Sequence, residues 1–251
     1  MEYAAFTEYC HRFPAYLRNF FWVDPDAPMV VPVEKKDSYF PSSQWFVSSG
    51  KTLSFAAKAG YNDEPHNHND IGTFLLVCDE GQILCDYGSG EYTRDYFQDA
   101  TRYTYLCNSS FGHSLPIING TGQLPGKQYR GRVISHNGGT FQVDMTDAYG
   151  VESLISAIRR MELSEDSFAL KDTFEGTDLS ITERFVTMIP PMPTPEGVIL
   201  GQYRLETVSG ITPSIHAETI INHEGLPDTL YLIDYELGTL KEFALQVFPV
   251  L

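Results

Sequence analysis

The chain has 251 residues, of which 42% are apolar, and a formal net charge of −16. So acidic a surface repels nucleic acid and anionic lipid unless a local patch reverses the field, and that share of apolar residues can bury a core, which excludes disorder as the main state. The longest stretch free of formal charge, 103–126, holds Asn, Ser, Thr, Gln, Gly and a His, so it cannot pass for a membrane span.

Along the chain, Tyr3, Phe6, Tyr9, Phe13, Leu17 and Phe20 recur at three- and four-residue steps, which predicts an apolar helical face that Pro14 breaks. The N-terminus has neither a basic n-region nor an apolar h-region. The expectation is therefore a cytoplasmic protein as the chain stands, periplasmic or secreted if an upstream segment carries a signal. Asp24-Pro25-Asp26-Ala27-Pro28 stops any helix, and the Pro-rich segment through Pro41 reads as a linker. The expected division is a helical remnant and linker over 1–38 and a β domain over 39–251.

From Trp45 onward, short alternating or apolar runs are punctuated by Gly, Asp, Asn and Pro, as in antiparallel sheets. Leu53–Ala56 is one such run. Phe74–Cys78 and Ile83–Asp86 read as a hairpin about Asp79-Glu80-Gly81-Gln82. Further strands are expected over Phe141–Met145, Phe168–Phe174, Ile181–Met188, Tyr203–Val208, Leu230–Tyr235 and Phe243–Val250. The predicted class is all-β, with stacked antiparallel sheets and a short helical N-terminal segment. The four cysteines, Cys10, Cys78, Cys85 and Cys107, form no CxxC pair and are too sparse for a disulfide scaffold, so they read as packed thiols.

Three of the seven histidines fall between 66 and 113, and two stand as Pro65-His66-Asn67-His68-Asn69-Asp70. In an extended segment, side chains at i and i+2 share a face roughly 7 Å apart, so both imidazoles would look into one site and start a zinc centre. Asp86 and His113, in Phe111-Gly112-His113-Ser114, are the carboxylate and the further imidazole within reach. The plain structural alternative is a pair of histidines hydrogen-bonded in a polar loop. Cys85 and Cys107 are also candidate ligands, but strand neighbours point oppositely, so Asp86 as ligand makes Cys85 core. Tyr87, Tyr92, Tyr96, Tyr103 and Tyr105 crowd the interval before His113. Most serve packing, yet a phenol can remove a carbon-bound proton if nearby cations lower its pKa of about 10. Arg102 adjoins Tyr103, although a strand would set the two on opposite faces, and Arg94 and Arg102 suit a substrate carboxylate. His136, His216 and His223 have no ligand-type neighbours.

The string from Ala56 to Phe74, with Cys85-Asp86-Tyr87-Gly88-Ser89-Gly90-Glu91-Tyr92-Thr93, Asn108-Ser109-Ser110-Phe111-Gly112-His113 and Ile118-Asn119-Gly120, resembles the heparinase II/III-like polysaccharide lyases. The resemblance covers the chain from about Tyr39 onward and is weak past residue 190. It implies a C-terminal super-β-sandwich that docks on an α/α toroid, and a structural zinc held near the cleft by His68, Asp86 and His113. It further implies that His66 faces the substrate and that Tyr103 acts as base in β-elimination; Arg102 and Asn67 are read as candidate substrate contacts. The implied substrate is an acidic, uronate-containing poly- or oligosaccharide, heparin- or alginate-like. The toroid is missing from these 251 residues, and its absence would account for the acidity of a protein meant to hold a polyanion.

Two other readings remain. Gly60, five residues and His66-x-His68 open like a cupin motif, but Gly72 and Thr73 stand where a Glu should follow. A carbohydrate-binding or interaction module without turnover would use the same β domain, with a second copy of the chain as a candidate partner.

Overall fold

The computed structural model describes Phe21 and residues 37–250 apart from Ser209. The chain divides into two units, 1–34 and 35–251, and the account below concerns the second. The N-terminal helix expected over 1–24 lies outside the described residues, Phe21 excepted.

Three antiparallel sheets build the domain. The five-stranded sheet runs, in spatial order, Ser38–Phe40, Trp45–Ser49, Ser54–Lys58, Phe74–Cys78, Gly81–Leu84. The eight-stranded sheet runs Met192–Thr194, Gly197–Leu200, Tyr203–Thr207, Glu242–Pro249, Phe168–Gly176, Leu154–Leu163, Thr140–Asp144, Arg132–Asn137. The four-stranded sheet runs Ser214–Ile221, Pro227–Glu236, Ile181–Thr187, Pro116–Ile118, and a two-stranded ribbon pairs Tyr61–Asn62 with Gly126–Arg130. No helix among the described residues is long and apolar enough to cross a membrane.

Alternation dictates what each sheet buries. Phe46, Phe55 and Phe74 of the first sheet face Phe141 and Phe168 of the second, with Phe46 and Phe141 stacked at 5.4 Å and Phe74 and Phe168 at 5.1 Å. Phe185 and Tyr235 of the third sheet meet Phe243 of the second at 5.8 and 5.3 Å. These stacked and tilted contacts bury large rings between the sheets.

Charged residues share this core. Arg159, Asp172 and Glu183 are each fully buried, at core-facing positions of Leu154–Leu163, Phe168–Gly176 and Ile181–Thr187. Arg159 and Asp172 are directly cross-strand, and the guanidinium grips the carboxylate through Nε at 3.0 Å and Nη2 at 2.6 Å. Burial, and then the Asp172 charge, push the Glu183 carboxyl well above the usual range, although Arg159 Nη2 lies 3.3 Å from it and opposes the shift.

The hairpin at 74–84 is tighter than expected, because only Asp79 and Glu80 separate its strands. Its second strand ends at Leu84, so Asp86 lies beyond the sheet rather than in it. Strands at Trp45–Ser49, Arg132–Asn137, Leu154–Leu163 and Ser214–Ile221 add to those expected. The last of these is an edge strand that is largely exposed and lacks an apolar run. Cys85 is buried with Val186, Leu230 and Leu232, as its apolar surroundings implied, whereas Cys78 is only half-buried.

Candidate metal centre

His68, Asp86 and His113 come from three separate segments, and their ligand atoms lie within 4.8 Å of one another. Asp86 follows the end of the five-stranded sheet, and His113 precedes the first residue of the four-stranded sheet's edge strand Pro116–Ile118. Ile181–Thr187 joins the two segments. Cys85 N–H donates to Val186 O at 3.0 Å, Thr187 Oγ1 donates to Ile83 O at 2.8 Å, and Val186 N–H donates to Ser114 Oγ at 3.1 Å.

The chemistry of the group is set by hydrogen bonds. His113 Nε2 donates to Cys107 O at 3.0 Å, which leaves Nδ1 as the lone-pair nitrogen. That Nδ1 is buried without a hydrogen-bond partner and stands 3.6 Å from Asp86 Oδ2. An orphaned acceptor facing a carboxylate is unfavourable unless something positive sits between them. Burial, and then the neighbouring His113, lower the His68 pKa to about 4, so His68 is a neutral donor at neutral pH. Although burial opposes it, the His113 ring and the Gly88 N–H, 2.8 Å from the carboxylate, hold Asp86 below the ordinary range. Two imidazoles and a carboxylate are a donor set that suits a divalent cation.

His66 is not in the group. The His-x-His segment is a turn rather than a strand; His66 is exposed with a φ of 61°, so the i, i+2 argument that paired it with His68 fails. A cupin site would need both histidines. The 3.9 Å stack of Tyr39 on His136 gives that distant histidine a packing role.

The tyrosine-rich interval is a string of 3₁₀ turns, Asp95–Phe97, Arg102–Thr104, Leu106–Asn108 and Ser110–Gly112, rather than strands. A 3₁₀ turn does not impose the opposite faces of a strand. Arg102 and Tyr103 therefore meet: the guanidinium carbon lies 5.7 Å from the Tyr103 ring centre and 5.8 Å from that of Tyr96. Arg102 Nη2 donates to Asn67 O at 2.7 Å, and Tyr103 Oη donates to Asn67 Oδ1 at 3.4 Å. Asn67 is buried, with its amide nitrogen donating to His68 O at 3.0 Å. Tyr96, by contrast, is buried, donates to Asn108 Oδ1 at 2.8 Å and is pushed up to about 12 by that burial and by Cys107, which makes it a poor base.

Several residues that hold these loops were not singled out from sequence. Lys58 and Asp70 form a buried ion pair at 2.8 Å. Ser110 Oγ donates to Asn69 O at 2.6 Å and accepts from Gln123 N–H. Gln123 in turn bonds both backbone groups of Ile71.

Solved structures share this sheet architecture. A heparinase III superposes with a TM-score of 0.70 at 12% identity, over 88% of this chain and 37% of its own. Heparan sulfate lyase HepC from Pedobacter heparinus gives 0.63 at 14% identity, over 94% and 41%. A chondroitin AC lyase mutant from Streptomyces coelicolor A3 gives 0.52 at 13%, over 89% and 34%. The chain thus spans well under half the length of each of these lyases. No curated protein matches it. The heparinase II/III-like C-terminal family matches residues 32–187, and the chain belongs to that family.

Proposed function

We propose that this chain is the β-sheet part of a lyase that breaks uronate-containing acidic polysaccharides by β-elimination. The observation that carries this reading is the arrangement of Tyr103, Arg102 and Asn67 beside the His68 group, in a chain of this family. In this reading Tyr103 takes the proton at C5 of the uronate. Its phenol oxygen is oriented by Asn67, and the guanidinium of Arg102 lies over its ring at 5.7 Å. His66, exposed on the adjoining turn, is available to the sugar carboxylate, whose neutralisation favours the carbanion-like transition state. As the C5–H bond breaks, its electrons form the C4–C5 double bond, the C4–O bond breaks and a general acid protonates the leaving oxygen, which gives an unsaturated sugar.

His68, Asp86 and His113 would hold a zinc ion, which suits N and O donors and would pin the three loop segments together. Because this chain spans 37% of the heparinase III it resembles, we further propose that an α/α toroid in a longer chain or a partner supplies the remaining, more basic wall of the cleft. The test is the absorbance of the unsaturated product from heparin, heparan sulfate and alginate. A version that includes an upstream helical domain should be active, and Tyr103→Phe and His66→Ala should each lower its turnover by about a hundredfold or more, in the range of acid–base catalysis. Full activity of the Tyr103→Phe, His66→Ala double variant would overturn the assignment.

A further inference from the structure

We propose that Arg159, buried in the core of the sheet stack, is a positioning residue that sets the approach of His68 and His113 and thereby the affinity of the ion site. The inference rests on the metal reading above.

One nitrogen carries the argument. Arg159 Nη1 donates to two carbonyls from distant segments, Gly72 O at 3.0 Å and Ser114 O at 2.6 Å. Gly72 ends the loop that begins at His68, and Ser114 directly follows His113. A single planar guanidinium therefore ties together the two chain segments that present the imidazoles, whose ring centres stand 5.3 Å apart. Its other nitrogens are fixed by Asp172 and Glu183, so the fork cannot swing to follow a drifting loop.

Stability alone does not account for such a residue. A buried ion pair can be exchanged for well-packed apolar groups with little loss, and often with gain. What apolar groups cannot do is hold two backbone carbonyls at a set separation. Gly72 is further confined: its φ is 83°, its N–H donates to Lys58 O at 2.9 Å, and an added Cβ would strike the Met145 sulfur. Ser114 is held from the other side by Val186 N–H at its Oγ. Both anchor points are thus rigid where Arg159 grips them, so the grip is transmitted to the histidines a few residues away. Lysine at this position keeps a positive charge but lacks the planar fork that serves Asp172 and both carbonyls at once.

The experiment titrates the full chain, freed of metal, with Co²⁺, and reads affinity and the visible d–d spectrum. Arg159→Lys and Asp172→Asn are compared with wild type and with Leu245→Ala, a core truncation in the eight-stranded sheet. Arg159→Lys should bind about ten- to a hundredfold more weakly with an altered spectrum, as loss of an outer-shell support does, and Asp172→Asn should show a smaller shift. Leu245→Ala, though less stable to heat, should bind as wild type does. If wild type binds no Co²⁺, the metal reading fails and this inference with it. If wild type binds and both Arg159→Lys and Asp172→Asn match it, the metal reading stands and the role of Arg159 is overturned. Should Arg159→Lys not fold, Asp172→Asn decides alone. Equal weakening in Leu245→Ala would reduce Arg159 to general support and overturn the proposal.

Discussion

His113 shows how one residue's hydrogen bonds decide what it can do. With Nε2 committed to Cys107 O, only Nδ1 is left to bind anything, and it is buried against Asp86 without a hydrogen-bond partner. Removing the carboxylate should therefore empty the site without unfolding the protein. Asp86→Asn is expected to fall from stoichiometric metal to near none, by elemental analysis of purified protein, with an unchanged circular-dichroism spectrum. Retention of metal would exclude Asp86 as ligand. Glu183 makes a different case. Its carboxyl holds a proton in the folded state at pH values where an unfolded Glu, near about 4.3, has released it. The folded state then binds more protons than the unfolded one, so the contribution of Glu183 is fully present below about pH 4.3 and is lost as pH rises toward its folded pKa. Glu183→Gln cannot ionise. Urea midpoints from pH 4 to 8 should show the variant gaining on wild type as pH rises; parallel profiles would show that Glu183 is ionised in the core.

At the scale of elements, the site hangs on short 3₁₀ turns whose backbones pass very close to one another. Gly112 lies against the Leu106 carbonyl, where a Cβ would collide with backbone rather than with a yielding side chain. Gly112→Ala should cost about 1–3 kcal/mol, as overpacking does, and should displace His113, its chain neighbour. Denaturant unfolding would give the first effect and metal affinity the second. An unperturbed variant would mean that the turn has slack that the packing does not suggest. The strands read from the sequence were legible because half-buried strands alternate, as Phe168, Leu170, Asp172 and Phe174 do. The buried charges were not singled out from the sequence, although Asp172 shares the face of Phe168 and Phe174, and Glu183 that of Ile181 and Phe185. Arg159 was harder to find, because Arg160 beside it hides which of the pair faces inward and the register shift near Leu154 interrupts the parity. The 3₁₀ turns had no such signal, since Tyr and Thr between 92 and 105 suit a strand as well as a turn.

For the molecule as a whole, charge and extent are the informative quantities. A net charge of −16 opposes a polyanionic substrate at long range, and the chain spans only 34–41% of the lyases it resembles. This chain alone is therefore expected to release unsaturated product at no more than background rates and to show little retention on immobilised heparin, whereas a version with an upstream helical domain is expected to turn over substrate and to be retained. Turnover by this chain alone, abolished by Tyr103→Phe, would show that the second wall is dispensable.

By itself the sequence determined the all-β class, the family and the residues able to hold a metal, because alternation, turn residues and ligand types are local properties that survive in a linear string. It did not determine which histidine of the 66/68 pair turns inward when spacing was the only guide, nor that Arg102 and Tyr103 share a side. It was silent on Arg159. Those facts depend on backbone torsions in non-repeating turns and on contacts between residues as far apart as Gly72 and Arg159, and only the packing of three sheets against one another brings such groups within hydrogen-bonding distance.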